Sequence, residues 1–570
     1  MSRDAPAAPI YLDYAATTPV DPEVAAVMAA HLTRGGVFGN AASATHAYGR
    51  EAAAHLEAAR AEVAALIDAP VETIVFTSGA TEADNLAVLG IARGLAHRGR
   101  HLVTMRTEHK AVLDPCRRLE KEGFAVTWLE PDRDGLLDLA TLRAALRPDT
   151  VLVSVMHAHN EIGVVQDLAA LAAACRERGV LLHSDAAQSA GRIPVPAGAL
   201  GVDLLSLSAH KLYGPKGIGA LYVGPAARPW LVPIAWGGGH EQGLRPGTPA
   251  THQAAGFGAA ARRLLEVRDA EAARLGALGR RLEAALASTP GVIFNGHRQR
   301  RLPGLVSVSF VDVEGESLVA ALEGLALSSG AACDSASGEP SYVLRALGRP
   351  PELAQSTLRL SLGRFTTEAE VDAAAAAIDR EVRRLAAIAP RAAAVPGPVL
   401  RPLAAGGAQG DPGAERGVPA LADAGAPTPG WRPPEVAAAL PERVRRLFRE
   451  LPHAGAPEPG SGPWVQGWAG SRREGAEVVF HLQFDAHGTV SDVRFQVYGC
   501  PHTLATAAWV ASQLPGRTSG ELVPSSPLEW AATLAVPAPK LGRLLRIEDA
   551  LRAVAARSRP GGLRAAPEAT

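Results

Sequence analysis

Residues 206 to 219 read Ser206-Leu-Ser-Ala-His-Lys-Leu-Tyr-Gly-Pro-Lys-Gly-Ile-Gly. A buried-strand pattern ends here in a lysine, Lys211, flanked by Ser208 and His210 and followed by a glycine-rich turn. A desolvated amine gives up its proton more readily than the reference value of about 10.4 allows, and the free amine condenses with an aldehyde. Ser208 and His210 are donors suited to a phosphate, and the glycines let the backbone approach it. Taken alone, the stretch also reads as a surface lysine after a strand.

Two further strand ends change that balance. His183-Ser-Asp-Ala-Ala-Gln188 closes an apolar run, where open parallel sheets place their ligands. A buried carboxylate at Asp185 suits a pyridinium nitrogen, the partner role of Asp in pyridoxal phosphate sites. Thr77-Ser-Gly-Ala-Thr-Glu-Ala-Asp-Asn85 follows the strand at Ile74 and opens a helix, whose first N–H groups form an anion site.

Around these points, residues 10 to 390 alternate helical and extended patterns. Arg50 to Ile67 puts Leu56, Ala59, Val63, Leu66 and Ile67 on one helical stripe. Apolar runs at Ile74, Leu102, Val151, Val180, Asp203 and Gly219 predict buried strands. The alternation predicts an α/β fold with a mostly parallel sheet covered on both faces. A large domain is expected over about 10–260. A smaller α+β domain is expected over 261–390, with strands at Leu305 and Thr357. Residues 391–435 are rich in Pro, Gly and Ala and read as an extended linker. The stretch 436–560 holds four of the eight tryptophans (Trp464, Trp468, Trp509, Trp530), with strands at Glu477–Phe484 and Val490–Tyr498 and helices after them. It reads as a separate α+β domain.

Composition narrows the classes further. The 570 residues carry 57 Lys+Arg against 58 Asp+Glu, so no basic excess points to nucleic acid. The four cysteines form no C-x-x-C pair and no disulfide scaffold, so no metal site is expected. Cys116 and Cys175 read as helix-packing residues. No run approaches the ~18 apolar residues of a membrane span. Met1-Ser-Arg-Asp-Ala-Pro lacks an apolar core segment, so a cytoplasmic protein is expected.

Residues 10 to about 390 resemble the cysteine desulfurases of the pyridoxal-phosphate-dependent class V aminotransferase group, with the fold-type I architecture. The stretches that carry the resemblance are Tyr11-Leu-Asp-Tyr-Ala-Ala-Thr-Thr-Pro19, Phe76-Thr-Ser-Gly-Ala-Thr-Glu82, Glu108-His-Lys-Ala-Val-Leu-Asp114, Asn160-Glu-Ile-Gly-Val-Val-Gln-Asp167, Ser208-Ala-His-Lys-Leu-Tyr-Gly-Pro-Lys-Gly217 and Ser328-Ser-Gly-Ala-Ala-Cys-Asp-Ser-Ala-Ser337. The resemblance implies that Lys211 forms the Schiff base with pyridoxal 5'-phosphate. Asp185 would partner the ring nitrogen, Gln188 the ring hydroxyl, and His109 would stack on the ring. Ala80, Thr81, Ser208 and His210 would hold the phosphate, with Thr248 reaching in from a second subunit of a homodimer. Asn160 and Arg359 would take the substrate carboxylate, a role that the arginine fork also suits on chemical grounds.

Cys333 lies in a run of small polar residues and glycines that predicts a mobile loop and an accessible thiol. The implied reaction converts L-cysteine to L-alanine with sulfur passing to Cys333 as a persulfide. The long Ser328–Tyr342 stretch favours a protein acceptor, such as an iron–sulfur scaffold. A selenocysteine lyase or another class V enzyme, and a mainly docking protein, are the alternatives. Two departures from the family pattern, Pro246 before Gly247-Thr248 and Ala41 after Asn40, leave the chemistry untouched.

Asp492-Val-Arg-Phe-Gln-Val-Tyr-Gly-Cys500 and Ile547-Glu-Asp-Ala-Leu-Arg-Ala-Val554 resemble iron–sulfur scaffolds of the NifU/IscU type. In that alignment two ligand cysteines fall at Glu474 and Arg543 and the aspartate at Ala476, leaving one thiol where a cluster needs about four ligands. Cys500 is therefore either a sulfur acceptor reached across the linker or a core thiol of a docking module.

Overall fold

The computed structural model describes residues 8–329, 340–390 and 440–558. Cys333 and the expected linker lie outside the described residues. The chain divides into two compact units, Met1–Ala386 and Ala387–Thr570.

The first unit begins with a short strand, β1 (Ile10–Tyr11), and is built on a seven-stranded sheet. Its strands are β2 (Ile74–Thr77), β3 (His101–Met105), β4 (Ala125–Leu129), β5 (Thr150–Ser154), β6 (Leu181–Asp185), β7 (Leu204–Ser208) and β8 (Gly219–Val223). Their order is β2-β8-β7-β6-β5-β3-β4. Pairs from β4 through β7 are parallel, whereas β8 runs antiparallel to both its neighbours. The direction of β8 follows from its connection: the few residues between Ser208 and Gly219 are too short for a crossover, so the chain doubles back.

Successive strand residues feed opposite cores. Leu102, Leu152, Leu204 and Leu221 join one cluster, and Val103, Val153, Leu205 and Ala220 join the other, as a sheet covered on both faces requires. The Ala47–Leu66 helix buries the predicted stripe, including Leu56, Ala59, Val63 and Leu66. Cys116 and Cys175 are buried helical residues.

The Thr251–Leu286 helix runs unbroken through residue 260, where the sequence suggested a boundary. Beyond it lies a second sheet of β9 (Val292–Phe294), β10 (Leu305–Phe310), β12 (Ser328–Ser329) and β13 (Thr357–Ser361), in the order β12-β13-β10-β9 and antiparallel throughout. Between β10 and β12, β11 (Leu325–Ala326) pairs in parallel with β1.

The second unit is an antiparallel sheet, β14 (Val465–Ser471), β15 (Ala476–Phe484) and β16 (Val490–Tyr498), with helices Pro501–Ala511 and Leu541–Arg557. Gly467 allows the last helix its close approach, because a Cβ there would collide with Ala550 O. Trp530 is fully buried.

Among the described residues, no helix is long and apolar enough to cross a membrane. None of them form a group of three or more His, Cys, Asp or Glu placed to hold a metal ion.

Candidate active site

The C-terminal ends of β6 and β7 and the turn after β2 surround a cavity of about 530 Å³, within the range of small-molecule sites. Ala80, Thr81, His109, Asn160, Asp185, Gln188, Ser208, His210 and Lys211 all line it. Nine expected residues, from Ala80 to Lys211, thus face one space.

At one end, Gly79 caps the Ala80–Gly94 helix with φ 154°, a backbone state that L side chains rarely adopt. The turn is seated against β8, since a Cβ on Gly219 would lie 2.7 Å from Gly79 Cα. This leaves the first helical N–H groups facing the cavity beside Ser208 and His210, an anion cradle. Burial and the nearby Lys211 and Lys216 charges pull His210 down to about 4, so its ring is neutral. Its Nδ1 lies 3.1 Å from Thr17 Oγ1.

At the other end stands Asp185, whose Oδ1 accepts the Ala187 N–H at 2.8 Å. Burial and the neighbouring Asp84 carboxylate push it up to about 6. A cationic ring nitrogen is the partner that restores the ionised form of such a group. Gln188 donates Nε2–H to Ala15 O at 2.8 Å. His109 caps the Lys110–Lys121 helix, Nδ1 accepting the Ala111 N–H at 3.2 Å, and burial lowers its pKa. Lys211 sits in a single 3-10 turn, Ala209–Lys211, directly after β7. An amine between an anion cradle and a buried carboxylate fits pyridoxal phosphate end to end.

Two expected residues lie elsewhere. Arg359, on β13, is buried and does not line the cavity. Its Nη1 donates to Asn160 O at 3.1 Å, and its Nη2 donates to Asp13 Oδ1 and Ser328 Oγ, both at 2.9 Å. Asp13 balances the buried cation, as a desolvated guanidinium requires. Thr248 is exposed and also outside the cavity lining.

Sequence reasoning missed three acidic residues around this site. Asp13 pairs with Arg359 from 346 residues away. Asp84 lines the cavity and is fully buried, with His183 Nε2 at 3.5 Å from Oδ1; burial pushes it up to about 7. Glu108, also fully buried, accepts the Met156 N–H at 2.7 Å, and burial raises its pKa well above the carboxylate range. A signal for Asp84 existed: it lies four residues after Ala80, on the helix face that holds the anion cradle.

In the second unit, Cys500 caps the Pro501–Ala511 helix, is fully buried, and lies 3.3 Å from Thr503 Oγ1. β16 ends at Tyr498, opposite Glu477, two residues before Cys500; Ala476 begins β15 and Glu474 ends the turn before it. Arg546 pairs with Glu474 at 3.5 Å, and Arg543 Nη2 would lie 3.4 Å from a Cβ on Gly475. Glu474 and Arg546 thus form an ion pair at one end of the sheet. With its thiol out of solvent, Cys500 matches the core-thiol reading better than the acceptor reading.

The fold and the lysine–aspartate cavity define a pyridoxal-phosphate enzyme of fold type I. The class-V aminotransferase family matches residues 10–374. The cysteine desulfurase IscS of Proteus mirabilis is 54% identical over 382 residues, 67% of this chain and 95% of that protein. Among solved structures, a NifS-like protein is 33% identical with a TM-score of 0.61, covering 66% of this chain and all of its own. SspA in complex with cysteine is 35% identical with a TM-score of 0.56, covering 63% of this chain and 100% of its own. The chain belongs to the class-V aminotransferase family, as a pyridoxal-phosphate-dependent cysteine desulfurase.

Proposed function

We propose that this desulfurase works through Lys211, Asp185, His109 and Cys333, with sulfur leaving as a persulfide on Cys333. The observation that carries the reading is the convergence of Lys211, Asp185 and the Ala80–Thr81 helix start on one cavity. Bound there, pyridoxal phosphate supplies an electrophilic aldehyde and an electron sink. Asp185 holds the ring-nitrogen proton in a site too buried for water to compete. Ala80, Thr81, Ser208 and neutral His210 would hold the phosphate, and Gln188, whose Nε2–H donates to Ala15 O, would face the ring hydroxyl. Lys211 Nζ takes the Cα proton of L-cysteine as general base. His109, with its lowered pKa, is neutral at pH 7 and suited to moving a proton to or from sulfur. Cys333, as thiolate, attacks the substrate sulfur; the S–S bond forms as the Cβ–S bond breaks, the electron pair and a proton end on Cβ, and L-alanine leaves.

Arg359 and Asn160 receive the substrate carboxylate. Arg359 Nη1 already donates to Asn160 O, which joins the two residues. The exposure of Thr248 supports an arm that completes the phosphate site of a neighbouring copy in a homodimer. The sulfur acceptor is a protein, in keeping with the length of the Ser328–Tyr342 stretch. The Ala387–Thr570 unit serves as a degenerate scaffold-like docking module. Relay through Cys500 would require the start of the Pro501–Ala511 helix to open.

Cys333→Ser tests the nucleophile. The variant is expected to keep the cofactor's colour and to stop releasing sulfide from L-cysteine. Undiminished sulfide release would assign the sulfur to another group.

A further inference from the structure

The N-terminal segment Tyr11–Asp21 contributes no group to the reaction above, yet it is bonded to the lysine turn on both sides. Thr18 is only 2% exposed. Its backbone N–H donates to His210 O at 2.9 Å, and its hydroxyl donates to the same carbonyl at 3.0 Å. That hydroxyl also accepts the Tyr213 N–H at 2.9 Å. Three residues on, the Asp21 N–H donates to Tyr213 O at 2.9 Å. Peptide groups before and after Lys211 therefore end on the same short strap.

The turn needs such support. It is one 3-10 turn long, and Tyr213 holds φ 65°, a left-handed state uncommon for an aromatic residue. Arg364 locks Tyr213 from beyond: its guanidinium carbon stands 4.0 Å over the ring, and its N–H donates to Tyr213 Oη at 2.5 Å. Asp21 and Glu271 neutralise that arginine at 2.6 and 3.1 Å. Gly191 backs the other side, where a Cβ would lie 2.8 Å from Lys211 O.

We propose that Thr18 is a positioning residue for Lys211, its hydroxyl bridging His210 O and Tyr213 N so that Nζ enters the cavity in one direction. The inference rests on Lys211 being the reactive amine. Only a hydroxyl donates and accepts at once in this space. A valine of the same shape leaves the buried Tyr213 N–H without its acceptor. The turn then relaxes, and a shift of about 1 Å in a reacting group costs up to about 100-fold in rate.

The test compares full-length, cofactor-loaded Thr18→Val and Thr18→Ser with the parent. Thr18→Val is expected to lower kcat for alanine formation by about 10- to 100-fold, with KM for L-cysteine unchanged. In the resting enzyme it weakens the circular dichroism of the cofactor's visible band, which reads how firmly the ring is held. Thr18→Ser restores both. If the valine variant does not fold, Thr18→Ala is read by the same two measurements. Parental kcat and dichroism in the hydroxyl-less variant, or a serine variant as impaired as the valine, overturns the proposal. A Lys211→Ala control separates the two readings, because alanine formation from L-cysteine at the parental rate there overturns the role of Lys211 itself.

Discussion

His159 shows how a single buried ring fixes its own protonation. Its Nε2 faces Thr107 O at 2.8 Å and must carry the hydrogen, while Nδ1 accepts the Glu161 N–H at 3.0 Å. A second proton would break the latter bond, and burial pulls the ring down to about 4. The unfolded ring titrates near 6.5, so between those values the unfolded state binds more protons. Stability from neutral His159 is complete above pH 6.5 and is lost as pH falls toward 4. From pH 7 to pH 5 the loss is about 2 kcal/mol. His159→Asn is expected to show a smaller drop in Tm over that interval than the parent; an equal drop would show that His159 does not titrate this way. Residues of this kind divide what the sequence reveals from what it hides. Lys211 and Asp185 stood out because reactive side chains followed predicted strand ends, whereas His109 entered only through the family resemblance. Asp13 and Thr18 were not legible, because both are ordinary polar residues whose partners lie 346 and 192 positions away. Cys333 was legible by composition alone, and its geometry lies outside the described residues.

Among the elements, the strands of the large sheet were readable wherever both faces are buried, because their apolar runs are continuous. β4 escaped because it is an edge strand whose Ala125 is exposed and whose next three residues are only half-buried. The reversal of β8 escaped because hydrophobicity carries no direction. That reversed strand matters to the site, since Gly219 at its start leaves room for Gly79 at the start of the phosphate cradle. Gly219→Ala would drive a Cβ to 2.7 Å from Gly79 Cα, where the neighbouring atoms are backbone and cannot swing aside. The variant is expected to hold pyridoxal phosphate at least about 10-fold more weakly, measured by cofactor release on dialysis. Parental retention would show that the cradle tolerates displacement. The 36-residue Thr251–Leu286 helix was legible as a helix. Its continuity through residue 260 was not, since a periodic pattern does not tell where one layer of packing gives way to another.

The molecule as a whole divides into Met1–Ala386 and Ala387–Thr570. The Proteus mirabilis relative is covered over 95% of its length by 382 residues of this chain, and the family match ends at residue 374, inside the first unit. A chain ending at residue 390 is expected to keep its cofactor and to release alanine from L-cysteine at the full-length rate; a large fall would give the second unit a part in turnover. β15 and β16 were visible in the sequence whereas β14 was not, and neither was the burial of Cys500, because a thiol before a helix reads equally well as exposed or packed. One feature of the first unit bears on how the enzyme is made. Ala15 N–H donates to Ser361 Oγ at 2.8 Å, and Arg364 pairs with Asp21 at 2.6 Å. Ala15 and Asp21 therefore wait for residues 346 and 343 positions further along the chain before they find these bonds. Nascent chains halted before residue 360 should carry a complete seven-stranded sheet and still fail to capture vitamin B6.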